Sequence, residues 1–352
     1  MPRKNINYEV VKLPNGKRKW IYGRTPKELE EKVKDASELI ARKVDLSRND
    51  TFGEVAYVWY KTFKEPKLRE NSKNAILSPL NQHILPALSA YPIRSITSVH
   101  LQELFNSVAE KSESLNNKIH QILNGIFGLA EALNIIYKSP LNKTLRIAGE
   151  ETEEKCALTD DDIQAIYAEL DQSEQPGAKK CKAFIQLALA SGLRRGELCG
   201  LMWSDIDFAR GELRVNRVCT WAHEKGEIEK ELKTKAARRK IPLPEDALQM
   251  LKERMKESRS VYIFTMNNGQ IYSNSAFRKM WAHAEKADIG MKVTPHTLRH
   301  TYCTRLFEAG MDLKEIQYMM GHKSPDLIMR VYAHYQARTR YEATAAKIRA
   351  VF

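Results

Sequence analysis

The chain has no run of about 18 consecutive apolar residues, the least that spans a bilayer as a helix, so nothing in it reads as a membrane anchor. No apolar stretch follows Met1-Pro2-Arg3-Lys4, and no signal peptide is expected. Cysteine is scarce: Cys156, Cys181, Cys199, Cys219 and Cys303 are odd in number, scattered and without a C-x-x-C pair. That usage excludes a disulfide frame or zinc knuckle and fits a reducing cytoplasm. Internal repeats and low-complexity tracts are absent too. Acid is in deficit, with 44 Asp and Glu against 57 Lys and Arg, a formal charge of 57 − 44 = +13. The excess favours a polyanionic partner, nucleic acid before membrane.

The 352 residues suffice for two domains and a small third. Residues 1–45 place Asn15-Gly16 between two β-prone runs, a hairpin signal, because a type I′ turn wants positive φ at both central residues. A helix should follow, with Thr25 as cap, Pro26 in the first helical position and Glu28 completing a capping box. Lys12, Lys17, Arg18, Lys19 and Arg24 surround Tyr8, Trp20 and Tyr22. A cationic, aromatic hairpin of this kind suits a DNA groove, and equally a solvated hairpin with a small aromatic cluster. The stretch "VDLSRND" reads as a linker. Residues 50–148 show helical periodicity: Phe52, Val55, Val58, Trp59 and Phe63 form one apolar stripe, Ile119, Ile122, Leu123, Ile126, Phe127 and Leu129 another. Four or five helices are expected. A second hinge falls near Gly149, and from residue 155 the pattern is mixed: Thr159 caps a helix, strands run near "GELRVNRVCTW" and "RRKIPLP", and helices follow.

Within that last segment, "SGLRRGEL" puts Arg194 at a helix start with Glu197 three residues on, able to brace it. A cation there opposes the helix dipole, and a bound anion would remove the conflict. In "TPHTLRHTYCTRL", Thr294 caps, Pro295 leads, and His296 and Arg299 lie one turn apart on one face. A forked donor and a neutral imidazole suit a phosphate and whatever attacks it. His296 and His300 also stand at i, i+4, but no carboxylate is near in sequence and Arg299 would repel a cation, so no metal is assigned. "GHKSPDLIMRVYAHY" adds His322 and Tyr332, with His334 and Tyr335 as competitors. A phenol needs a cationic pocket to react near neutral pH, since its ordinary pKa is about 10. "EIEKELKTKAARRKIPL" reads as a basic strand-turn-strand exposing Lys233, Lys235, Arg238, Arg239 and Lys240.

In this order, Arg194, a basic hairpin at Lys233, His296-x-x-Arg299, Gly321-His322 and Tyr332 resemble the catalytic series of the tyrosine recombinases, the phage-integrase family, including integrases of temperate phages and conjugative transposons. The resemblance implies a multidomain chain. Residues 1–45 would be a small β-sheet plus helix domain binding arm sites, 50–148 an all-α core-binding domain, and 155–352 a mixed α/β, mainly helical catalytic domain. It implies that Tyr332 attacks a scissile phosphate to give a 3′-phosphotyrosine, that Arg194 and Arg299 hold the non-bridging oxygens, and that His296 helps remove the phenolic proton. His322 would hydrogen-bond the phosphate, and Lys233, with Lys235 as the alternative, would protonate the leaving 5′-oxygen. DNA contacts would come from Lys12, Lys17, Arg18, Lys19, Trp20, Arg24, Lys235, Arg238 and Arg239. The family implies no cofactor and no metal, double-stranded DNA as partner, a homotetramer on it with accessory DNA-bending proteins, and a cytoplasmic, nucleoid-associated setting. A type IB topoisomerase, a silent DNA-binding relative and a metallophosphodiesterase on His296 and His300 are the rival readings.

Overall fold

The computed structural model describes residues 7–13, 16–150, 157–221, 224–229, 235–321, 328–329, 345 and 347–351, with residues 71 and 235 described by backbone alone. The chain divides into two compact units, Met1–Glu153 and Glu154–Phe352.

The first unit opens with the antiparallel strands β1 (Asn7–Lys12) and β2 (Arg18–Gly23), in which Tyr8 faces Tyr22, Val10 faces Trp20 and Lys12 faces Arg18. Because side chains alternate along a strand, these six share the outward face, and Tyr8, Trp20 and Tyr22 are each more than half exposed. Ile21, on the other face, joins a small core of Leu13, Ala36, Val44 and Leu46 beneath the hairpin, over helix α1 (Pro26–Ala41). Thr25 caps α1 by accepting the Glu28 N–H at 3.1 Å. The Glu28 carboxylate reaches back to the N–H of Arg24 at 2.8 Å, one residue before the cap it was expected to serve. The stretch 44–50, expected as a free linker, is fastened down. Val44 and Leu46 are buried, the Asp45 N–H donates to the Asn134 carbonyl at 2.8 Å, and Arg94 donates to the carbonyls of Asp45 and Ile135. Two apolar side chains in a polar stretch suffice to hold it against the core.

Helices α2 (Phe52–Val58), α3 (Glu70–Pro79), α4 (Leu85–Leu88), α5 (Ser98–Ser107) and α6 (Glu113–Ala132) follow. α6 buries Ile119, Ile122, Leu123, Ile126 and Phe127, as their spacing predicts. Gly125 admits the Trp59 indole, which a Cβ would meet at 2.7 Å. The α2 stripe does not continue as expected. Trp59–Lys64 is π-helical, and its wider turn rotates Phe63 off the buried face, so that Trp59 and Tyr60 are buried while Phe63 is 48% exposed. Val58, on the flank of that face, is 43% exposed.

In the second unit Thr159 and Asp162 form a reciprocal cap at the start of α7 (Asp160–Gln172), with hydrogen bonds of 3.1 and 2.8 Å. The elements that follow are α8 (Pro176–Ser191), α9 (Arg195–Cys199), β3 (Ile206–Asp207), β4 (Glu212–Val215), β5 (Val218–Thr220), β6 (Glu227–Glu229) and β7 (Arg239–Pro242). Then come α10 (Glu245–Glu257), α11 (Asn274–Trp281), α12 (Pro295–Glu308) and α13 (Leu313–Met320). α8 packs against α7, α10, α11 and α12. Its Phe184 meets Phe264, Phe277 and Trp281 edge-on, at centroid distances of 5.1, 5.3 and 6.1 Å. β3, β4 and β7 form one antiparallel sheet in that order, and β5 pairs with β6. Of the basic segment expected as strand-turn-strand, the described strands β6 and β7 do not pair with each other: β6 lies on β5 and β7 on β4. Arg239, Ile241 and Leu243 alternate inward and are buried, which fixes β7 where the core can receive them.

Candidate active site

The site is organised by how α8 ends. Gly192 closes it at φ +60°, and a Cβ there would stand 2.1 Å from Cδ1 of Tyr302, so only glycine allows both the backbone turn and the approach of the ring. The turn delivers Arg194 to the start of α9. Glu197, three residues on and nearly fully buried, accepts from the Arg194 N–H at 3.0 Å and from its Nη1 at 2.8 Å, the brace expected from the sequence. It also accepts from Arg239 of β7, through Nη2 at 2.9 Å and Nη1 at 3.3 Å. The neighbouring Arg195 leaves this group, stacking over Trp221 at 4.1 Å and Phe277 at 5.1 Å.

Arg299 arrives from α12, whose cap is as predicted: Thr294 accepts the Thr297 N–H at 3.1 Å and Pro295 leads the helix. Its buried guanidinium donates through Nη1 to the Gly192 carbonyl at 2.6 Å and through Nη2 to the Met320 carbonyl. Arg239 Nε donates to the Met319 carbonyl at 2.7 Å, and Arg194 Nη2 to that of Gly321 at 3.3 Å. Three successive carbonyls at the end of α13, where helix carbonyls run out of turns to bond them, are thus each met by a different arginine. That is also the end of a helix at which cations are favoured. Gly321 has φ +60°, and a Cβ on it would come within 2.7 Å of Arg239 Nη1.

The electrostatics are lopsided. Burial raises the Glu197 carboxyl, but the charge and hydrogen bonds of Arg239, with the charges of Arg194 and Arg299, outweigh it and hold the pKa at about 2. Burial pulls Arg299 well below the ordinary guanidinium range, to about 9. Arg194 adds to the shift and Glu197 opposes it, and the group remains charged at neutral pH. Among the described residues, Arg194 and Arg239 bond the Glu197 carboxylate and the charge of Arg299 acts on it, a local excess of 3 − 1 = +2. Arg194 is the one that reaches solvent, its side chain 40% exposed. An anion arriving there would meet charge already oriented and partly desolvated.

Among the residues expected at the site, the structure brings Arg194 and Arg299 together and leaves His296 exposed in the first turn of α12. Lys233, His322 and Tyr332, and the competitors His334 and Tyr335, lie outside the described residues, as does the Lys235 side chain. Arg238 is exposed. Arg239 departs from the expectation of a surface DNA contact, because its place in the inward alternation of β7 buries it completely. On the N-terminal hairpin Lys12, Lys17, Arg18, Trp20 and Arg24 are exposed. Lys19 differs: it lies on the opposite face and donates Nζ to the Leu46 carbonyl at 2.7 Å. Burial, then the Arg94 charge, lowers its pKa. Among the described residues no group of three or more His, Cys, Asp or Glu is placed to hold a metal ion, and no helix is long and apolar enough to cross a membrane.

Comparison with known proteins identifies the family. Residues 157–338 match the phage integrase family, and residues 51–109 match the phage integrase N-terminal SAM-like domain. A tyrosine recombinase XerC-like protein of Caldanaerobacter subterraneus subsp. tengcongensis is 29% identical over 94% of this chain and 91% of its own length. The transposase of transposon Tn916 from Enterococcus faecalis is 24% identical over 92% of this chain and 82% of its own. Among solved structures, the Tn1549 transposon integrase in complex with a circular intermediate DNA matches with a TM-score of 0.70 at 24% identity, over 82% of this chain and 99% of that one. A lambda integrase dimer bound to a COC′ core site matches at 0.65 and 21% identity, over 94% of each. Those two likenesses establish the fold. Since the family match at residues 157–338 spans more than half of the chain, the protein belongs to the phage integrase family, the tyrosine recombinases.

Proposed function

We propose that this recombinase cuts and rejoins double-stranded DNA at the ends of a mobile element, integrating or excising it through a 3′-phosphotyrosine on Tyr332. The observation that carries the reading is the clustering of three guanidinium groups: Arg194 and Arg239 bond the Glu197 carboxylate, and Arg299, buried beside the end of α13, bonds the Met320 carbonyl, with Arg194 open to solvent. Such a group has charge to spare for a phosphodiester. In the reaction the Tyr332 oxygen attacks the scissile phosphorus, the bond to the 5′-oxygen breaks, and the phenolic proton passes towards His296, exposed at the start of α12. Arg194 and Arg299 hold the non-bridging oxygens as charge builds on them, His322 donates a hydrogen bond, and Lys233 protonates the departing 5′-oxygen. A phosphodiester is exchanged for a phosphodiester, so a second strand's hydroxyl can reverse the step without an energy source.

The same reading assigns residues 155–352 to catalysis, 50–148 to core-site binding and 1–45 to arm-site binding, the last through the exposed face of Lys12, Arg18 and Trp20 with Lys17 and Arg24 at its margins. It includes a homotetramer on DNA, assisted by DNA-bending proteins, in the bacterial cytoplasm. For DNA and the tetramer the solved relatives give support, one being bound to circular intermediate DNA and another being a lambda integrase tetramer on a Holliday junction. The test is incubation with a nicked suicide duplex from the element's end, in EDTA. A covalent protein–DNA band that is lost in Tyr332→Phe supports the reading. Sequence-specific binding with no such band overturns it in favour of a silent DNA-binding protein.

A further inference from the structure

Arg239 belongs to the cluster but turns every donor inward. Nε goes to the Met319 carbonyl, Nη1 to Glu197 and the Ala237 carbonyl, Nη2 to Glu197, and no part of its side chain reaches solvent. All of these partners lie within the protein, whereas the Arg194 side chain is 40% exposed. We propose that Arg239 is a positioning residue for Arg194 and Arg299, fixing Glu197, through which Arg194 is aimed, and the last turn of α13, on whose Met320 carbonyl Arg299 rests. The inference depends on the reading of this cluster as a phosphate site.

Two features argue against mere packing. A buried ion pair is often no better for stability than apolar side chains of the same volume, so a structural role alone would not call for arginine. A planar fork, by contrast, can hold a carboxylate with one edge and a carbonyl with Nε, tying β7 to both α9 and α13. Gly321 agrees with this, since a Cβ at the residue by which the chain leaves α13 would stand 2.7 Å from Arg239 Nη1.

Among the described residues, the charged groups facing Glu197 are Arg194 at the start of α9, Arg239 from β7 and Arg299 from α12, with the Tyr302 phenol of α12 close to the latter two. With Arg239 removed, Glu197 loses the largest influence opposing its burial, and its carboxyl must rise. Protonated, it no longer holds Arg194.

The experiment is covalent-complex formation on the suicide duplex by full-length wild type, Arg239→Met, Arg239→Lys and the double variant Glu197→Gln/Arg239→Met. Rates are followed against pH, with DNA affinity measured by gel shift on the same samples. In Arg239→Met, cleavage is expected to fall on the order of 100-fold, as for a catalytic group displaced by about 1 Å, with DNA affinity nearly unchanged. It is also expected to gain an acid limb absent from wild type. Arg239→Lys should remove the limb and recover only part of the rate. If burying an uncompensated carboxylate unfolds Arg239→Met, the double variant carries the test: it should bind DNA, cleave slowly and lack the limb. Wild-type rates in all variants, or affinity and cleavage falling in parallel, overturn the inference while the wild-type band leaves the recombinase reading intact. A wild type that forms no covalent complex removes both.

Discussion

Replacing Glu197 by Gln keeps the shape of the side chain and deletes its charge. The carboxyl is held at about 2 against an ordinary 4.5, a gap of roughly 2.5 units, and at 1.36 kcal/mol per unit its ionised form contributes about 3 kcal/mol to folding at pH 7. Because the folded pKa is the lower one, that contribution is present above the unfolded value and is lost as pH falls through the folded value. By linkage it should shrink to about 2 kcal/mol at pH 3.5. The amide leaves Arg194, Arg239 and Arg299 facing one another without a counter-charge, which adds to the loss at every pH. Calorimetry of the full chain should show the transition of residues 154–352 lowered in Glu197→Gln at pH 7, with the gap to wild type narrowing as the pH is brought to 3.5. A variant as stable as wild type at pH 7, or a gap that does not change with pH, would refute the electrostatic account of the cluster.

Gly192→Ala forces a left-handed φ on a residue with a Cβ, at a cost of about 1–2 kcal/mol before the overlap with Tyr302. Its melting temperature should drop, and cleavage should suffer more than DNA affinity because the Gly192 carbonyl supports Arg299. Ile126→Ala in α6, with no exposed surface, should lose about 2–5 kcal/mol in urea unfolding. Phe63→Ser should change stability by no more than about 0.5 kcal/mol, and a large loss would mean that the π-helical turn does not place Phe63 outside. On the hairpin, Arg18→Ala should weaken DNA binding and reduce its salt slope by about one ion. Lys19→Ala should leave the slope alone, since its ammonium bonds Leu46.

Much of the fold could be read from local chemistry. The caps at Thr25, Thr159 and Thr294 and the apolar stripe of α6 depend on residues within one or two turns of each other, and they stand as the sequence predicted. The failures are non-local or depend on register. The π-helical turn at Trp59–Lys64 preserves composition while shifting which residues face the core, and Val44 and Leu46 look like linker residues until Leu13 and Ala36 of a distant segment come to meet them. At the site, the brace between Arg194 and Glu197 follows from their spacing of three residues, and it stands in the structure. The inward role of Arg239 was missed because charge was weighed above alternation, although Arg239, Ile241 and Leu243 share a strand face. The bonds from three arginines to the successive carbonyls of Met319, Met320 and Gly321 involve backbone atoms, which carry no mark in a sequence.

The central claim, that this cluster presents a phosphodiester to one tyrosine, is tested most directly by mapping the covalent adduct. The complex trapped on the suicide duplex is digested with protease and nuclease, and the nucleotide-bearing peptide is sequenced by mass spectrometry. The account predicts a 3′-phosphonucleotide on Tyr332. A nucleotide on Tyr335 or Tyr318, or linkage through the 5′-phosphate, would contradict it.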